Sequence, residues 1–179
     1  MHESIICAGF GGQGIMLMGK LLAGAALRKG YNVTWLPSYG AEVRGGTAHS
    51  MVRISDKKIA APVVFKPTSG IVMNAPSLKK FIGKIQKGGL LLINTSMTES
   101  APNRKDIKTI SLPFTKLASD LGNIKTANMI ASGVFIRKKK FLSLELALEE
   151  LHNMLPFKKE LLEINKKAVK LGYELGGKS

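Results

Sequence analysis

The apolar run Ser4-Ile5-Ile6-Cys7-Ala8 empties into Gly9-Phe10-Gly11-Gly12-Gln13-Gly14, and small and apolar residues suited to a tightly packed helix follow from Ile15 to Leu27. A buried strand, a glycine turn and a helix in that order open a βαβ unit. No other feature restricts the chain so firmly to α/β architectures. Lys29 and Gly30 stop the helix. Gly9, Gly11 and Gly14 satisfy Gly-x-Gly-x-x-Gly at the strand-to-helix junction, where unpaired backbone N–H groups and the positive end of the helix dipole favour an anion. A glycine turn can also exist merely to let the helix pack on the sheet, so the pattern alone does not name a ligand. Gly9, Gly11, Gly12, Gln13 and Gly14 are the first candidate cofactor-binding residues.

A dinucleotide fold adds an acid at the end of its second strand, about twenty residues on, to hold the ribose hydroxyls. Here that strand, Asn32 to Leu36, runs into Pro37-Ser38-Tyr39, and the nearest acid, Glu42, lies past it. No Arg stands at the strand end for a 2′-phosphate, and no Gly-Lys-Ser/Thr follows the glycines to make a Walker loop. A nicotinamide cofactor is disfavoured, and a free-standing NAD(P)-binding oxidoreductase stays as the alternative reading.

The segment from Ser38 to Gly46 follows the second strand, at the sheet edge where α/β proteins bind ligands. Both loops are therefore expected at the C-terminal ends of neighbouring strands. Its glycines permit close backbone approach, and Glu42 and Arg44 point in different directions if the segment is extended. The planar fork of Arg44 can clamp a phosphate or carboxylate, or it can pair structurally with an acid. Glu42 is a candidate general base. Tyr39, Glu42, Arg44, Gly45 and Gly46 join the candidate cofactor-binding set, while Thr47 and His49 read as packing or capping residues. No Ser-His-Asp, Cys-His or metal-ligand spacing stands out, so no catalytic residue and no metal ligand is assigned.

Along the rest of the chain, Met51 to Ser55 and Lys58 to Val63 predict a hairpin around Asp56-Lys57, adding antiparallel strands to a parallel sheet. Gly70 to Asn74, Leu90 to Asn94 and Ile107 to Leu112 read as further strands, with a helix over Ser77 to Gln86. The C-terminal part is helical: Thr115 to Leu121, Ala127 to Arg137, Ser143 to Leu155 and Lys158 to Leu175. The expectation is one domain over residues 1–179, a three-layer α/β/α, Rossmann-like fold with a mixed, mostly parallel sheet, an antiparallel hairpin and a helical C-terminus.

Charge adds a constraint on partners. The net charge is +15, yet residues 1–56 carry five Lys or Arg against three acids, while residues 57–179 carry twenty-two against nine. The glycine motifs thus lie in the nearly neutral part. The positive charge is mostly Lys, with five Arg, few aromatics and no nucleic-acid motif. It reads as a solvated lysine face suited to acidic proteins rather than to nucleic acid. The single Cys7 excludes an internal disulfide and a self-contained iron-sulfur cluster. Met1-His2-Glu3-Ser4 lacks a basic n-region and Lys20 interrupts the apolar stretch, so neither a signal peptide nor a membrane span is expected, and the reading is cytoplasmic.

Taken together, Gly-x-Gly-Gly-Gln-Gly near the start, Pro37-Ser38-Tyr39-Gly40-x-Glu42-Val43-Arg44-Gly45-Gly46-Thr47, Val52-Arg53-Ile54-Ser55, Leu121-Gly122-Asn123 and Ala127-Asn128-Met129 resemble the gamma subunit of 2-oxoacid:ferredoxin oxidoreductases. Ala41 stands where that family commonly has proline. The resemblance implies a multi-subunit enzyme that decarboxylates a 2-oxoacid on thiamine diphosphate, passes the acyl group to coenzyme A and reduces ferredoxin through iron-sulfur clusters. It implies alpha, beta and ferredoxin-like delta subunits as partners, with thiamine diphosphate and the clusters held outside this chain. Coenzyme A is expected near the gamma domain, at Gly11 to Gly14 and Arg44. The second loop is most similar to the 2-oxoglutarate type, with branched-chain 2-oxoacids next.

Overall fold

The computed structural model describes residues 1–38, 47–99 and 103–178. In chain order its main elements are β1 (His2–Phe10), α1 (Ile15–Arg28), β2 (Asn32–Ser38), β3 (Thr47–Ser55), β4 (Ser69–Val72), α2 (Ala75–Phe81), β5 (Leu90–Asn94), β6 (Lys108–Leu112), α3 (Phe114–Asp120), α4 (Ala127–Lys139), α5 (Leu144–Met154) and α6 (Lys159–Lys178). Among the described residues six strands form one sheet in the order β2-β3-β1-β4-β5-β6. β1, β4, β5 and β6 pair in parallel, whereas β3 runs antiparallel to both β1 and β2. The mixed, mostly parallel sheet expected from the sequence is present.

The hairpin is placed differently from the expectation. β3 spans Thr47–Ser55 and its two edges are taken by β1 and β2, so residues 58–63 have no edge to join and form no strand. Instead the Arg53 guanidinium donates to the carbonyls of Ala61 and Val63, at 2.8 and 3.4 Å, and draws that segment against the sheet as coil. Pro62 and Pro67, which lack an N–H, suit such a path. A second correction follows from the same insertion: β1 and β2 are not neighbours, because β3 lies between them.

The two faces of the sheet are covered unequally. Ile5 and Cys7 of β1, Val52 and Ile54 of β3, and Ile71 of β4 pack with α1, α3, α4, α5 and α6 in one large core. The opposite parity, Ile6 and Ala8 with Met51, meets Phe81 at the end of α2, while Val72, Leu91 and Ile93 meet Ile85. This thinner layer completes the α/β/α arrangement. The predicted helix over Ser77 to Gln86 is shorter: α2 ends at Phe81 and a single 3-10 turn, Ile82–Lys84, finishes it. Within the large core α4 is buried from Ala127 to Ile136 on all sides, which explains its weakly amphipathic sequence.

Candidate cofactor-facing site at the carboxyl edge of the sheet

The chain leaves β1 through α1 on one face of the sheet and β4 through α2 on the other, so the carboxyl ends of β1 and β4 flank the crevice where open α/β sheets bind ligands. The first glycine loop occupies that position. Gly12 and Gly14 adopt φ of 92° and 69°, conformations that side chains resist. A Cβ at Gly12 would meet nothing within 4 Å, so this turn of backbone is open outward. A Cβ at Gly14 would lie 2.3 Å from Asn128 Nδ2, and one at Gly9 would lie 2.6 Å from Gln13 Oε1. Gly9 and Gly14 thus make room for protein, and Gly12 for whatever approaches the loop.

Four side-chain amides, the half-buried Gln13 and the buried Asn74, Asn94 and Asn128, lock this edge. The Gln13 side chain folds back so that its Oε1 accepts from Phe10 N at 2.7 Å and from Asn74 Nδ2 at 3.1 Å. Asn74 in turn accepts from Ser77 N at 2.9 Å and caps α2. Asn94, at the end of β5, donates to Met73 O and Thr115 Oγ1 and accepts from Thr115 N. Asn128, in the first turn of α4, donates to Gly14 O at 2.9 Å. Gln13 is therefore a positioning residue whose acceptor is spent inside the protein. The sequence reading placed Asn74 and Asn94 at strand ends and gave them no role; their signal is a buried amide after a β-run, readable only once the partner is known.

No side chain caps α1, its first turn holds no acid, and its leading N–H groups have no intrahelical partner. With the helix dipole this favours negative charge beside Gly11 to Gly14. Two hollows flank the loop and share Gly12. One, of about 230 Å³, is bounded by Gly12, Gln13, Met73, Thr115, Lys125 and Ala127; the other, of about 450 Å³, lies between α1 and the β2–β3 hairpin.

Of the second candidate loop, Tyr39, Glu42, Arg44, Gly45 and Gly46 lie outside the described residues. Its two ends are described. Ser38 pairs with His49, and Thr47 pairs with Phe10, the residue that opens the glycine loop. The chain entering and leaving the second loop thus stands at the same sheet edge as the first, although the strands are not adjacent. His49 packs its ring on Phe81, with centroids 5.1 Å apart, and burial together with Lys80 and Lys84 holds its pKa below the usual value. It is a packing residue, as read. Burial pushes the Cys7 thiol up to about 12, so it offers no thiolate. Among the described residues no three His, Cys, Asp or Glu are placed to hold a metal, and no helix is long and apolar enough to cross a membrane.

Residues 4–175 match the family model of pyruvate ferredoxin/flavodoxin oxidoreductases. A 2-oxoglutarate synthase subunit KorC of Methanocaldococcus jannaschii is 33% identical over 98% of this chain and 94% of its own length. A ketoisovalerate oxidoreductase subunit VorA of Methanothermobacter marburgensis is 37% identical over 72% of this chain, which spans only 27% of that relative. The solved gamma subunit of a keto/oxoacid ferredoxin oxidoreductase from Geobacter sulfurreducens superposes with a TM-score of 0.85, at 26% identity, over 99% of both chains. The chain belongs to the pyruvate ferredoxin/flavodoxin oxidoreductase family, and the resemblance drawn from its motifs is borne out.

Proposed function

We propose that this chain, acting as one domain over residues 1–179, is the gamma subunit of a 2-oxoacid:ferredoxin oxidoreductase and completes a coenzyme A and thiamine diphosphate site shared with alpha and beta subunits. The observation that carries the reading is the outward-open Gly12 backbone beside the uncapped end of α1, held rigid by Gln13 and Asn128. Such an edge suits the phosphates of coenzyme A. Thiamine diphosphate and iron-sulfur clusters belong to the neighbouring subunits, and we assign a coenzyme A phosphate contact to Arg44, whose guanidinium is charged at any working pH. On this division the chain orients and encloses, and the groups that break and form bonds come from elsewhere. We read 2-oxoglutarate as the substrate, because the KorC relatives align along nearly their whole length, and 2-oxoisovalerate as its nearest competitor.

In the enzyme reconstituted with its partner subunits, Arg44→Ala should raise the KM for coenzyme A by about tenfold, one lost charge-assisted contact. Turnover should favour 2-oxoglutarate over pyruvate and 2-oxoisovalerate before and after the change. An unaltered coenzyme A dependence would remove Arg44 from the site, and a preference for pyruvate would overturn the substrate assignment.

A further inference from the structure

The outer half of the sheet, β2 and β3, carries the helix α1 on the side of the large core. On the opposite face the strand register sets Thr34, Leu36 and Ser38 of β2 beside Arg53, Met51 and His49 of β3, and all six are half-buried. Phe81 at the end of α2 packs on Met51 and His49 there, and the Val64 N–H donates to Met51 Sδ. β2 lies one strand further out, at the edge of the sheet. Among the described residues four buried side-chain polar atoms have no partner, and Thr34 Oγ1, His49 Nδ1 and Arg53 Nε, three of them, belong to this face. Buried polar groups are nearly always paired, so the chain by itself leaves hydrogen-bonding capacity unfilled here.

The rim of the same face is cationic. Lys80 and Lys84, on α2 and its closing turn, each bring an ammonium to 5.4 Å from the centre of the Phe81 ring. Both are exposed, and neither takes part in any of the ion pairs among the described residues. Like charges one helical turn apart oppose each other, so two ammonium groups gathered at one ring call for an anion from outside. We infer that this face receives an acidic segment of a partner subunit, its carboxylates meeting Lys80 and Lys84 and its apolar side chains covering Leu36 and Met51. The inference rests on the reading of this chain as one subunit of a larger enzyme. A second copy of a chain carrying +15 would bring repulsion to a rim that is already positive. Nucleic acid would find no stacking surface, because the ring beneath the lysines, Phe81, is 2% exposed.

The complex of alpha, beta and delta subunits, prepared without this chain and immobilised, is titrated with the full chain at low and at physiological salt. Lys80→Glu with Lys84→Glu should weaken association by at least about a hundredfold, roughly tenfold for each reversed charge pair, and reduce its salt dependence. Both side chains are exposed, so the variant should keep the thermal unfolding temperature of the parent chain. Lys167→Glu with Lys170→Glu changes the net charge equally at exposed positions of α6, on the other face of the sheet, and should weaken association by less than about threefold. Carbodiimide, which joins an amine to a carboxylate in direct contact, should link Lys80 or Lys84 to an Asp or Glu of a partner subunit. Equal weakening by the two double variants, full affinity in Lys80→Glu with Lys84→Glu, or absence of that cross-link overturns the inference. So does a dimer of the chain alone, or retention of an RNA oligonucleotide, that the Lys80 and Lys84 changes abolish. If docking fails these tests while Arg44→Ala still shifts the coenzyme A dependence, the docking face falls and the coenzyme A reading stands. If the chain binds no partner subunit at all, the subunit reading falls together with the docking face.

Discussion

At Gly14 the backbone turns through φ 69° and the Asn128 amide fills the space a side chain would need, donating to the Gly14 carbonyl. Alanine there meets two costs, a left-handed conformation worth about 1–2 kcal/mol and a displaced buried hydrogen bond worth about 1 kcal/mol more. Gly14→Ala should therefore lower unfolding stability by roughly 2–3 kcal/mol in urea titration; a loss under 1 kcal/mol would show that the contact with Asn128 yields easily. The glycine spacing was legible because strand, turn and helix are adjacent in sequence. Its locks were not, because Asn74 lies 61 positions from Gln13 and Asn128 lies 114 positions from Gly14.

Between elements, the tightest contact is the crossing of α4 and α6. A Cβ at Gly172 would stand 2.0 Å from the Ile130 carbonyl oxygen, and one at Gly133 would stand 2.1 Å from that of Val169. Two backbones touch, and neither can yield without moving a helix. Gly172→Ala should cost about 3 kcal/mol, the upper range for overpacking, despite the gain in helix propensity. Gly177→Ala, where a Cβ would make only an ordinary 3.4 Å contact with Arg137, should be neutral or stabilising by up to about 1 kcal/mol. Thermal unfolding of the two variants checks the opposite signs, and equal effects would contradict the contact. Helix positions were readable from apolar spacing and stops, as for Leu151 and Ala168, both buried. Which helices cross, and that β3 inserts between β1 and β2, depends on long-range pairing that no local pattern carries. The hairpin expected over residues 51–63 failed on that point, since β3 already had two partners.

Across the whole molecule the two ends of the sheet differ in kind. At the amino end of β1 the buried Glu3 carboxylate accepts from Thr68 and Ser69 and pairs with Lys139 at 2.9 Å, tying the end of α4 to the sheet. At the carboxyl end the amides are satisfied but the Gly12 turn is open and α1 is uncapped. The account turns on this open edge meeting a polyanion, and Gly12 allows a direct electrostatic test. Its outward space leaves room for a side chain, and the strain of its positive φ falls on Asn and Asp alike, so the pair differs chiefly in charge. A carboxylate about 5 Å from a phosphate, at an effective dielectric near 20, costs about 3 kcal/mol, twice what a tenfold change in affinity requires. The decisive measurement is the KM for coenzyme A of the reconstituted enzyme carrying Gly12→Asp against Gly12→Asn. We expect the Asp variant to be at least about tenfold higher, with the 2-oxoacid KM the same in both; equal coenzyme A kinetics in the two variants would contradict the account.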